Sequence, residues 1–61
     1  METKFFTIGN LTIMEVNTGD FFEIYIRETE DRLDYFRFTF GSDKEFSQEE
    51  IQILFENGYF D

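Results

Sequence analysis

Between Phe21 and Phe40 the chain reads FFEIYIRETEDRLDYFRFTF, two runs of aromatic and β-branched residues around the polar break Glu28-Thr29-Glu30-Asp31-Arg32. That is the pattern of a β-hairpin. Side chains in a strand alternate between faces, so Phe22, Ile24 and Ile26 share one side of the first strand, and Phe36, Phe38 and Phe40 one side of the second. With Arg27 facing Leu33 across the break, Ile24 is expected opposite Phe36 and Phe22 opposite Phe38. The other face then pairs Glu23 with Arg37 and Tyr25 with Tyr35. Both faces find compatible neighbours in this register.

The flanking segments extend the sheet. Residues 4–8, KFFTI, read as a strand, and Gly9-Asn10 suits a tight hairpin turn. Leu11 to Val16 reads as the next strand, with an ambiguous face: Leu11 and Ile13 belong to one set, Met14 and Val16 to the other. A three-residue loop Asn17-Thr18-Gly19, with Gly19 left-handed, pairs Met14 with Phe22 and Thr12 with Ile24. It turns Met14 and Val16 inward and Glu15 outward, which avoids burying an unpaired carboxylate.

From Ser47 the period changes. Ile51, Leu54 and Phe55 form a helical stripe. Ser47 with Glu50 three residues on is a capping box, Phe46 can staple to Ile51, and Gly58 followed by Tyr59 is a stop signal. A helix over 48–57 is predicted. The expected fold is α+β: a four-stranded antiparallel β-meander packed against one C-terminal α-helix, within a single domain covering 1–61.

A chain of 61 residues is near the lower limit for folding unaided, and with no Cys and no His it has neither disulfides nor the usual zinc ligands. Its core must come from apolar packing, for which ten Phe and three Tyr supply large side chains. No apolar run approaches the length of a membrane span, and Met1-Glu2-Thr3-Lys4 does not resemble a secretory signal, so a cytoplasmic protein is expected.

The same inventory weighs against an enzyme. Ser42 and Ser47 have no evident base partner, and no glycine-rich phosphate loop is present. Counted from Asp43, the sixth and twelfth positions are Gln48 and Leu54, which do not fit a calcium-binding loop. No cofactor is expected.

Charge points to a surface function. Fourteen acidic against five basic residues give a net charge of −9, which repels nucleic acid and anionic lipid and attracts basic protein surfaces. The carboxylates fall into two groups. Glu28, Glu30, Asp31 and Asp34 surround the hairpin break, while Asp43, Glu45, Glu49, Glu50 and Glu56 run through the helix. On the sheet face away from the helix, Phe21, Tyr25 and Tyr35 are candidate apolar anchors, beside Glu23, Arg27, Leu33, Arg37 and Thr39.

The helix end Phe55-Glu56-Asn57-Gly58-Tyr59, on a small, acidic, cysteine-free chain, resembles phage-encoded inhibitors of host DNA enzymes, in particular small acidic anti-CRISPR proteins that block an RNA-guided nuclease. The resemblance implies a DNA mimic active in the host cytoplasm. In it, Glu28, Glu30, Asp31 and Asp34 would contact the arginines that otherwise read DNA. The expected partner-binding set is these four residues with Phe21, Tyr25, Tyr35, Asp43 and Glu45, and the expected partner is a basic nucleic-acid-binding protein. The alternative is a homodimeric or structural interaction module whose charge serves solubility.

Overall fold

Alternating apolar runs become four strands, with Gly9 and Gly19 in the first two connections. A computed structural model describes residues 2–29 and 35–60. The strands β1 (Glu2–Ile8), β2 (Leu11–Asn17), β3 (Phe22–Glu28) and β4 (Arg37–Ser42) form one antiparallel meander in the order β1-β2-β3-β4, and the helix α1 (Gln48–Glu56) follows. This is the predicted α+β architecture.

Ile8 pairs with Leu11 across a two-residue loop in which Gly9 has φ 57°. A Cβ at Gly9 would stand 2.9 Å from the Phe55 ring, so this position needs glycine both for its backbone angle and for the approach of α1. The helix carries the predicted capping box. The Ser47 hydroxyl accepts from the Glu50 N–H, and the Glu50 carboxylate accepts from the Ser47 N–H at 2.9 Å. At its end Gly58 has φ 80°, Tyr59 N–H donates to Leu54 O and Gly58 N–H to Phe55 O. These two bonds make a Schellman motif that satisfies the last carbonyls.

The registers differ from expectation, and both corrections concern faces. Met14 pairs with Tyr25 and Thr12 with Arg27, because the β2–β3 loop is Thr18–Phe21 and not Asn17–Gly19. The loop is held by Thr18 N–H donating to Phe21 O at 2.9 Å and by Gly19 N–H donating to Asn17 Oδ1 at 2.9 Å. The slip is odd, so it turns β2 over. Leu11, Ile13 and Glu15 face the helix, while Met14 and Val16 lie on the other side.

In the second hairpin Ile24 pairs with Phe40 and Phe22 with Ser42, whereas Tyr25 pairs with Phe38 and Ile26 with Arg37. The change of register leaves Thr39 as a bulge residue, whose hydroxyl donates to Ile24 O at 2.8 Å. One extra residue reverses the alternation beyond it. Phe40 stays on the core side, and Phe38 moves to the outer face and is 56% exposed. The expected pairs Ile24–Phe36, Phe22–Phe38, Glu23–Arg37 and Tyr25–Tyr35 therefore do not form. Leu33 lies outside the described residues.

The core contains Phe6, Ile8, Leu11, Ile13, Ile24, Ile26, Ile51 and Phe60, with Phe40, Phe46, Leu54 and Phe55 packed against it. Phe60, beyond the helix, stacks on Phe40 at 6.3 Å between centroids. Glu15, expected outside, is only 2% exposed. Its burial is compensated: one carboxylate oxygen accepts the Phe46 N–H at 2.9 Å, and the other lies 3.7 Å from Lys4 Nζ. Lys4 is the cross-strand neighbour of Glu15 and donates to Phe46 O at 3.0 Å. The pair thus grips both sides of one residue and sets where α1 begins.

Candidate functional site

The register determines where the acidic groups stand. Glu2, Asn17, Phe22 and Ser42 are cross-strand neighbours at one end of the sheet. Asp20 in the β2–β3 loop, and Asp43, Glu45 and Glu49 leading into α1, gather near that end and are exposed. Glu28 marks the opposite end, next to Leu11, and is exposed too. A seven-residue strand separates the two groups, roughly 20 Å at 3.3 Å per residue. Glu30, Asp31 and Asp34 lie outside the described residues.

The expected partner-binding set is consequently divided. Phe21, 42% exposed, lies against Gly41 near Asp43 and Glu45. Tyr35, 85% exposed, follows the hairpin break at the Glu28 end. Tyr25 sits between them on the outer face. Its hydroxyl donates to Glu23 Oε1 at 3.1 Å, and partial burial, that hydrogen bond and the Glu23 charge push it above the ordinary phenol value.

The two lysines attend to particular carboxylates. Lys4 lies 3.4 Å from Glu45 as well as near Glu15, and Lys44 pairs with Glu50. The Lys44 ammonium, together with the Ser47 N–H, holds the Glu50 carboxyl below its ordinary value. Arg27 lies 4.6 Å over the Phe36 ring, and its Nε–H has no acceptor among the described residues. Glu2, Asp20, Glu28, Asp43 and Glu49 project outward.

A cavity of about 130 Å³ opens between the start of β1 and the start of α1, lined by Glu2, Lys4, Glu15, Asn17, Phe22 and Glu45, and a second of about 200 Å³ adjoins it at Thr18 and Gly19. Both are smaller than the roughly 300–1,000 Å³ of small-molecule clefts. Among the described residues, no three carboxylates come together to hold a metal ion, and no helix is long and apolar enough to cross a membrane.

The outer face also carries residues outside the expected set. Phe5, Met14, Tyr25 and Phe38 are successive neighbours across the four strands and form one apolar row. Tyr25 and Phe38 meet edge to face at 5.6 Å, and Phe5 lies 6.1 Å from Phe36. A signal for Phe5 exists in the sequence: two adjacent phenylalanines in one strand, Phe5 and Phe6, must face opposite ways. The Phe38 position depends on the bulge and has no local signal. Compared with protein-family models, curated proteins and solved structures, the chain finds no match.

Proposed function

We propose that this chain is a non-enzymatic acidic binding protein that occupies the basic groove of a nucleic-acid-binding protein, as a DNA-mimicking inhibitor of the anti-CRISPR kind does. The observation that carries the reading is the disposition of charge. Exposed carboxylates stand at both ends of a rigid sheet, while Lys4 and Lys44 are engaged with Glu15, Glu45 and Glu50. Carboxylates fixed on a folded scaffold act as phosphates do on DNA. They raise the association rate with a basic groove and bind with a strong dependence on salt. The modest cavities fit a protein that works by surface contact.

The test is competition. A fluorescent DNA duplex bound to an RNA-guided nuclease is displaced by the chain, with salt raised from about 50 to 500 mM, a range over which screening shortens sharply. Affinity is expected to fall steeply with salt. Neutralising Glu28, Glu30 and Asp31 together should weaken binding about tenfold or more, since three exposed pairs contribute up to about 1 kcal/mol each. The equivalent change at Asp43, Glu45 and Glu49 measures the other end of the sheet. Affinity indifferent to salt overturns the reading.

A further inference from the structure

We propose that the outer sheet face is a homodimer interface, with two copies packed face to face about a two-fold axis that crosses β3 at Tyr25. Phe5 on β1 and Phe38 on β4, both more than half exposed, end an apolar row that crosses this face, and exposed apolar surface of this kind marks interfaces.

The choice of a second copy rests on charge. Among the described residues the face carries one carboxylate, Glu23, and one guanidinium, Arg27, two positions either side of Tyr25 on the same strand. Its described residues therefore sum to neutral on a chain of net charge −9. A basic protein, drawn to the acidic ends, has no net charge to engage here. A second copy does find complementarity. In a symmetric interface residue i meets j while j meets i. An axis lying in the interface, perpendicular to β3 through Tyr25, sets Glu23 against the partner's Arg27 and Arg27 against the partner's Glu23.

The same axis runs along the row Phe5, Met14, Tyr25 and Phe38, so each apolar residue meets its own counterpart. The Arg27 guanidinium, which lies over the Phe36 ring, gains a carboxylate beside it. Both acidic ends stay free, so dimerisation neither requires nor excludes the groove-occupying role. Repulsion between two chains of net charge −9 opposes association, and salt screens it. Dimerisation should thus strengthen with salt, whereas groove binding weakens.

Sedimentation equilibrium of the full chain, from about 10 µM to 1 mM and at about 50 and 500 mM salt, tests this without any other protein. Twice the monomer mass is expected at high concentration, with tighter association at higher salt. Phe38→Lys should be monomeric throughout with unchanged far-ultraviolet circular dichroism. Phe5→Lys repeats the test if that variant does not fold. Glu23→Arg and Arg27→Glu should each self-associate at least tenfold more weakly, yet pair with each other when mixed. A monomer at the highest concentration and salt, a dimer that survives both lysine substitutions, or a mixture that fails to pair would overturn the proposal.

Discussion

One face of the sheet is sealed by α1 and built around isoleucine; the other is open and rich in aromatic residues. Ile13, Ile24 and Ile51 are fully buried, while Phe5 and Phe38 are more than half exposed. In a chain with ten phenylalanines, hydropathy alone would put the largest apolar side chains in the core. Phe6 and Phe60 do lie in it, but the fully buried positions go to Ile13, Ile24 and Ile51. Under a single short helix the interior accommodates β-branched side chains that pack well on a pleated surface. Phe5 and Phe38 are left half-exposed on the outer face, where the Phe36 ring packs 6.1 Å from Phe5.

The largest expected effect breaks that contrast on the sealed side. Ile24→Ala should cost about 2–5 kcal/mol, the range for truncating a buried aliphatic residue, enough to unfold much of a population this small and marginal. Phe38→Ala should change stability by only about 0.5 kcal/mol, as for exposed positions. Thermal melts of the two variants, read side by side at low protein concentration, check the difference. Equal losses would mean that the outer face is as much a core as the inner one.

A smaller effect sharpens the comparison at Glu15, the buried charge on the sealed side among the described residues. Glu15→Ala leaves the Phe46 N–H without its acceptor and Lys4 without its cross-strand partner. An unsatisfied buried donor costs about 1–3 kcal/mol. Urea denaturation should show a loss in that range, with Glu15→Gln closer to the parent because it keeps an acceptor. Parity between the alanine and glutamine variants would indicate that the carboxylate holds nothing in place.

The smallest effect is on the solvent side of the helix start. The Glu50 carboxyl is held below its ordinary value by Lys44 and the Ser47 N–H. A depressed folded-state value stabilises the fold above the ordinary carboxylate range, and this contribution is lost as pH falls through the lowered one. The melting temperature should therefore decline on acidification below about pH 4.5, with part of that slope absent in Glu50→Gln. A titration of melting temperature for both proteins measures it. Identical slopes would remove Glu50 from the account.

What is local was legible in the sequence. The capping box at Ser47 and Glu50, the left-handed stop at Gly58 and the turn at Gly9 each involve residues within a few positions of one another, and each is in place. Alternation identified four strands but left the place of the first one open; the tertiary structure sets β1 beside β2, as short loops between antiparallel strands favour. The acidic groups were legible as charge, but the separation of Glu28 from Asp43, Glu45 and Glu49 to opposite ends of the sheet was not.

Which face each strand presents was decided only by the tertiary structure. A slip by an odd number of residues reverses every side chain, and local sequence carries little energy to choose between the two parities. For β2 the choice fell to Glu15, whose partners Lys4 and Phe46 are 11 positions before it and 31 after. For β4 it fell to a single bulge at Thr39, which keeps Phe40 inside and releases Phe38 to the surface. Burial of a carboxylate and exposure of a phenylalanine both run against residue-by-residue hydropathy, and in both cases a contact distant in sequence supplies the compensating free energy.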